Sequence, residues 1–346
     1  MAEVALKQIR VIPSSIHMAN GNAKDKSVTP DIKQGNELQA VFVESPGRPK
    51  GSVLAALALL SVAAIWGSTF FLIKEILNEL APLEFLAVRF TLAAILGNIL
   101  FFPRIRQSSW PVWKQGGVLG AVYFLAQVFQ TQGLRSVDAS VSGFLTGMYV
   151  VFTPILLFLI FRERIAARTV YAVLVATIGL AVLSLNGFSI GAGEMLTLLG
   201  AVMFALHIVL LAKWATKYDV LTLAVVQLNA IAVCSIAVGL PQGLTLPQTS
   251  AAWISLLYMT LFAALGAMVL QTWAQSRINA ATAALIMLTE PIFASTFAIL
   301  LGGENLSLRL CVGGALMLGA MLLTELGEDL EPRKLRKSFL SMKDRA

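Results

Sequence analysis

The chain has 346 residues, of which 57% are hydrophobic and only 13% are charged. A soluble domain carries roughly 25% charged residues, so a water-soluble fold is excluded and a polytopic membrane protein is indicated. The net charge of +7 lies in loops and tails, where it orients a membrane protein; it does not indicate nucleic-acid binding.

Residues 1–50 are polar and without periodicity, as in "SSIHMANGNAKDKSVTPDIKQGNE". They read as a disordered tail and lack the short apolar centre of a signal peptide. A span needs about 20 apolar residues. Ten stretches qualify: 53–74, 82–102, 113–134, 140–161, 169–186, 194–214, 220–240, 252–274, 281–301 and 309–326. "APLE", "NGFSIGAGE" and "PQGLTLPQTS" break them. The loops on the side of the N-terminus carry nine Lys and Arg: Arg104, Arg106, Lys114, Arg162, Arg164, Arg168, Lys213, Lys217 and Arg277. The opposite loops carry three, Lys74, Arg135 and Arg309. The excess predicts that both termini are cytoplasmic. A basic tail, 327–346, follows the last span.

The chain also repeats itself. Residues 136–168 lie over 277–309 without a gap, so that Glu163 falls on Glu304 and Arg168 on Arg309. "QT" at 130–131 falls on "QT" at 271–272 at the same offset, and with small slips Lys74 falls on Lys213 and Arg89 on Gln227. The expected fold is an all-α polytopic membrane protein: ten transmembrane helices in two inverted-topology five-helix repeats, 51–187 and 188–326. An odd number of spans per repeat forces the second to enter the membrane from the other side, as in many secondary transporters. Chance similarity between two Leu- and Ala-rich stretches is the competing explanation, and matched charges in matched loops speak against it.

Three ionisable groups lie deep in the spans: Arg89, His207 and Glu290. Such groups usually face the bundle interior or a wet cavity. Arg89 lies about 10 Å below one membrane edge and Glu290 about 13 Å above the other, at 1.5 Å per residue in a layer of roughly 30 Å. An ion pair between them is therefore expected, either contacting substrate or only fixing two helices. Uncharged polar groups cluster on a few spans: Trp66, Ser68 and Thr69; Gln127, Gln130 and Thr131; Thr146 and Tyr149; Gln227 and Asn229; Gln271, Trp273 and Gln275. They either hold helices together or line a cavity. Pro154 and Pro291 stand mid-span in counterpart helices and are expected kinks and hinge candidates. Gly143 with Gly147, and Gly116 with Gly120, are spaced for close helix packing. His207 reads as a hydrogen-bonded packing residue. The two cysteines, Cys234 and Cys311, form no disulfide framework, and no metal, phosphate-loop or hydrolase motif is present. No cofactor, metal or catalytic residue is therefore expected.

Three segments carry a resemblance. "AIWGSTFFLIKEILNELAPLEFLAVRFTLAAIL" (64–96), "GLRSVDASVSGFLTGMYVVFTPILLFLIFRERI" (133–165) and "INAATAALIMLTEPIFASTFAILLGGENLS" (278–307) resemble EamA-type permeases of the drug/metabolite transporter superfamily. The resemblance covers about 50–326 and implies ten helices, a central cavity and plasma-membrane export of metabolites or amino acids without ATP hydrolysis. Matching cavity positions are Trp66, Gly67, Ser68, Arg89, Glu290 and Pro291, while Glu163 and Glu304 match structural loop glutamates. The implied partners are a small organic substrate and the lipid bilayer; proton coupling and a homodimer are compatible with it. Exchange of nucleotide sugars or phosphorylated sugars is the alternative within transport. A membrane-embedded enzyme or a non-transporting sensor is the alternative outside it.

Overall fold

The computed structural model describes residues 51–162, 167–184, 191–243, 245–278, 283 and 286–326. The expected tails 1–50 and 327–346 and the loop Glu163 lie outside these residues. Among the described residues there is no strand. That follows from the apolar composition, because in hydrocarbon the helix satisfies its own backbone polar groups.

The first half runs α1 (Gly51–Ile76), α2 (Pro82–Leu100), a single-turn α3 (Phe102–Arg106), α4 (Trp110–Gly133), α5 (Ala139–Gly147), α6 (Tyr149–Phe161) and α7 (Ala167–Ser184). The second half runs α8 (Ala192–Trp214), α9 (Val220–Gly239), α10 (Ser250–Tyr258), α11 (Ala267–Gln275), α12 (Glu290–Leu300) and α13 (Leu308–Leu326). Starts are set locally. Prolines occupy the first turns of α2, α4 and α12, where the missing N–H has no partner to lose. Asp219 accepts from the Thr222 N–H at 2.9 Å to cap α9, and Thr249 accepts from the Ala252 N–H at 3.2 Å to cap α10. α6 ends at Arg162 in the left-handed region, φ 58°.

Among the described residues six helices are long and apolar enough to cross a membrane, with α5–α6 and α10–α11 each counted as one crossing. Three shorter stretches, Val170–Val182, Glu290–Leu300 and Leu308–Ala320, are also apolar. α4 is 24 residues long but is not among the six. Its Lys114, Gln115, Gln127, Gln130, Thr131 and Gln132 dilute the apolar signal. Three of these, Gln127, Gln130 and Thr131, are buried in the protein and do not face lipid.

Contacts between the halves come in matched pairs. α4 packs on α8 and α9, and in return α10–α11 and the turns between them pack on α1 and α2. α12 packs on α1, and α6 with α5 packs on α8. The remaining large contacts join counterparts directly: α2 with α9, α5 with α12, and α7 with α13. This is the pattern that a twofold relation between two like halves produces.

The fourth span of each half is broken at the same place. Met148 donates its N–H to the Leu145 carbonyl at 3.2 Å, and Thr289 donates to Ile286 at 3.2 Å. Phe152 then bonds back to Met148 at 3.0 Å, and Phe293 to Thr289 at 3.0 Å. Each three-residue turn interrupts the four-residue ladder, and the two interruptions stand 141 residues apart, the offset of the sequence repeat. The expected kinks at Pro154 and Pro291 are thus relocated. Pro154 lies inside α6, several residues past the break. Pro291 lies in the first turn of α12, where it starts a helix.

The third spans of the two halves differ. Met259–Gly266 forms a π-helical stretch between α10 and α11, whereas α4 is α-helical throughout. The Trp66 indole N–H donates to the Ala263 carbonyl inside that stretch at 2.8 Å.

Small residues let the halves approach. A Cβ on Gly120 would come within 2.5 Å of the Gln227 carbonyl oxygen, and one on Gly143 within 2.5 Å of Ala294 Cβ. The predicted packing role of those glycines is therefore realised at α4–α9 and at α5–α12. Asn98 and Asn229 exchange side-chain hydrogen bonds across the α2–α9 contact.

Candidate functional site

α6 and α12 each begin immediately after their helix break, so Tyr149 and Glu290 are first residues of counterpart helices. The Tyr149 hydroxyl stands 3.1 Å from Glu290 Oε2 and 3.1 Å from the Met287 carbonyl. The two counterpart residues therefore meet across the interface between the halves, where both are buried.

They line a central cavity together with Trp66, Arg89, Gln127, Gln130, Thr146 and Gln271. These are eight of the eleven residues the sequence singled out as cavity candidates. Gln130 and Gln271 are repeat counterparts, and Gln130 Nε2 donates to Thr146 Oγ1 at 3.1 Å. Phe70, Ile73, Tyr123, Phe204, His207 and Met287 complete much of the wall. Tyr123 is its aromatic hub, 5.4 Å from Phe204 and 5.1 Å from His207 between ring centroids. The sequence reading passed over Phe70, Tyr123 and Phe204, because an aromatic side chain on an apolar helix carries no sign of which way it faces. The free volume of the cavity is about 30 Å³. Two or three waters would fill it, at roughly 10–15 Å³ each.

Three candidates lie elsewhere. Ser68 bonds the Ile65 carbonyl at 2.7 Å and pairs with the Tyr258 hydroxyl at 2.8 Å. Gln227 accepts from His207 Nε2 at 2.8 Å, which gives His207 the packing partner expected of it, although its ring also faces the cavity. Trp273 lies under the Arg277 guanidinium, 4.1 Å from its ring centroid.

The expected Arg89–Glu290 ion pair does not form: the salt bridges among the described residues join Lys74 to Asp138 and to Glu304. Glu290 is held instead by the Tyr149 hydroxyl of the other half. Arg89 is 2% exposed, and its Nε and Nη1 have no hydrogen-bond partner among the described residues. Its guanidinium carbon lies 5.1 Å from the Phe90 ring centroid and 5.7 Å from that of Phe85. The depth estimate from the sequence was sound as far as it went, since both residues reach one cavity. It could not show which side-chain partner each would find there. Gln127 Oε1 and Gln271 Oε1 are also buried and without a partner among the described residues.

At one end the halves are fastened. Glu304 accepts from the backbone N–H of Ala139 at 2.6 Å and of Ser140 at 3.2 Å, capping α5 from the opposite half. Lys74 bridges Asp138 at 2.9 Å beside it. Glu304 thus has the structural, backbone-binding role its position suggested. Between α1 and α2, Glu79 reaches the loop before α10, accepting from the Thr249 hydroxyl and from the Gln248 N–H. The Thr249 hydroxyl, and then the Gln248 N–H, hold the Glu79 carboxyl below its ordinary value. No three His, Cys, Asp or Glu side chains gather among the described residues as a metal centre would require.

The sequence pattern of the EamA-like transporter family matches residues 53–185 and again 191–326. The chain belongs to the EamA-like transporter family. The two matches coincide with the two structural halves, so this EamA protein carries the family domain twice. It is a membrane transporter and an integral, multi-pass membrane protein. A protein named an uncharacterized transporter from Archaeoglobus fulgidus is 32% identical over 292 residues, which is 84% of this chain and 92% of that protein. The uncharacterized transporter YvbV of Bacillus subtilis is 28% identical over 185 residues, 50% of this chain and 59% of its own. A solved crystal structure superposes with a TM-score of 0.61 at 19% identity, covering 81% of this chain and 99% of that one, which is a likeness of fold.

Proposed function

We propose that this EamA protein is a secondary transporter that exports small organic metabolites, amino acids among them, across the plasma membrane by alternating access. The observation that carries the reading is Arg89, a buried guanidinium lining the cavity, whose Nε and Nη1 have no hydrogen-bond partner among the described residues. An uncompensated buried charge is costly, and a visiting substrate that pairs with it removes the cost.

Ten spans in two inverted five-helix repeats, 51–187 and 188–326, are the arrangement we infer. It is supported by the doubled family match, the paired contacts and the helix breaks 141 residues apart. The Lys and Arg excess puts both termini in the cytoplasm. Alternating access then consists of one half rocking against the other, with α5–α6 and α12 bending at Met148 and Thr289. The interhelix contacts of Glu304 and Lys74 form and break at one end of that motion. Exchange of phosphorylated sugars ranks lower, because Arg89 is the one cationic side chain lining the cavity among the described residues, and phosphate wants several.

The reading is tested by comparing the metabolites in spent medium of cells overexpressing the protein with those of cells overexpressing Arg89→Gln at equal membrane abundance. Accumulation of one or a few small molecules that depends on Arg89 is expected. Identical profiles would count against export through this cavity.

A further inference from the structure

Arg89 and its repeat counterpart differ in charge. The counterpart, Gln227, is neutral and is satisfied by His207 and by the Leu223 carbonyl. The architecture thus accepts an uncharged residue at this place, so the cation of the first half needs a reason of its own. Arg89 takes part in none of the salt bridges among the described residues. Its guanidinium is buried beside the Phe85 and Phe90 rings, with Nε and Nη1 unpartnered among those residues. Gln127, on the same cavity wall, is also under-used. Its Oε1 is buried without a partner among the described residues, while its Nε2 donates to the Tyr123 hydroxyl at 3.3 Å. A half-turn of that amide lets the hydroxyl donate to Oε1 and frees the NH2 group to donate elsewhere.

We propose that the cavity holds a small inorganic anion of the halide class, chloride in the first place, as the counter-ion of Arg89. A buried cation without a counter-charge is costly, and an anion in contact with it removes much of that cost. A halide asks for one cation and a few N–H donors and imposes no direction on them. Arg89 and Gln127 together offer that set. A chloride ion is little larger than one water molecule, and the free volume of about 30 Å³ holds two or three waters. Sulfate and phosphate are larger, and their charge asks for several cations, whereas Arg89 is the one cationic side chain lining the cavity among the described residues. The anion belongs to the substrate-free protein, and a substrate that pairs with Arg89 has to displace it. The inference goes beyond the transport reading above, because the counter-ion is needed whether or not anything is carried.

The purified full-length chain is dialysed into sodium gluconate, free of halide, and titrated with radiolabelled chloride by equilibrium dialysis. Saturable binding of one chloride per chain is expected for the wild type. Arg89→Gln should weaken it at least tenfold, and Arg89→Lys, which keeps the charge, should retain part of it. Gln127→Ala should weaken it less than Arg89→Gln does. Bromide should compete with the label and sulfate should not. Replacing gluconate by chloride at constant ionic strength should raise the unfolding midpoint of the wild type and leave that of Arg89→Gln unchanged, because a ligand that binds only the folded state stabilises it. The inference is overturned if the wild type shows no saturable chloride binding, if Arg89→Gln binds chloride as tightly as the wild type, or if sulfate competes as well as bromide. Either of the last two results would put the chloride on surface cations. Chloride binding of the expected pattern with spent medium that does not depend on Arg89 would leave the inference standing and remove the transport reading. Export that depends on Arg89 without chloride binding would do the reverse.

Discussion

Arg89→Gln should make the empty protein more stable while abolishing its transport. A residue placed only for structure behaves in the opposite way. In its buried position the guanidinium loses its water and gains ring faces but no hydrogen bond at Nε or Nη1 among the described residues. The two ring contacts offset part of the cost, about 0.5–2 kcal/mol each. Desolvation of the charge costs several kcal/mol. The repeat counterpart of Arg89 already is a glutamine, Gln227, which the same architecture accommodates by hydrogen bonds to His207 and to the Leu223 carbonyl. A net gain of about 1–3 kcal/mol is expected, read as a higher unfolding midpoint in detergent. A lower midpoint would mean that Arg89 holds the fold together, and the cavity would lose its binding residue.

Gly67→Val should prevent folding, and Gly67→Ala should weaken it. Gly67 stands in the "WGS" stretch of α1 where α12 crosses. A Cβ there would come within 2.5 Å of Phe293 Cβ, 2.9 Å of the Ala294 backbone nitrogen and 3.1 Å of the Glu290 carbonyl oxygen. Two of the three are backbone atoms of a helix, which cannot swing aside. Overpacking of this kind costs about 1–3 kcal/mol or more. Any relief moves the first turn of α12, and with it Glu290, out of reach of Tyr149. Gly117 is the control: a Cβ there meets nothing within 4 Å. Gly117→Ala should be neutral or stabilising by up to about 1 kcal/mol through helix propensity. Expression level and thermal unfolding of the three variants decide the matter. Equal stability of Gly67→Ala and Gly117→Ala would refute the close α1–α12 contact.

The sequence made the repeat legible because its strongest signals are charges and glutamines in apolar surroundings, which are few and cannot be displaced without cost. Gln130 and Gln271, Tyr149 and Glu290 are found by one alignment at one offset. The helix breaks were legible only as proline positions. The backbone breaks where a three-residue turn replaces the ladder, at Met148 and Thr289, and the prolines follow. The π-helical stretch 259–266 left no mark in composition, since one extra residue per turn needs no special side chain. The Arg89–Glu290 pair failed for a related reason. Depth along a helix follows from counting residues, but the direction of a side chain depends on its neighbours, and Tyr149 reaches Glu290 first.

Alternating access through the cavity is tested most directly by a single cysteine at Thr146, in a protein whose Cys234 and Cys311 have been replaced by serine. Thr146 is 2% exposed and lines the cavity. Cysteines at Lys217 and Thr249 mark the two membrane faces in parallel variants. A membrane-impermeant thiol reagent should label position 217 from the cytoplasm only and position 249 from outside only, and should reach position 146 from either face. Labelling of position 146 from one face alone, or of position 249 from the cytoplasm alone, would contradict the account.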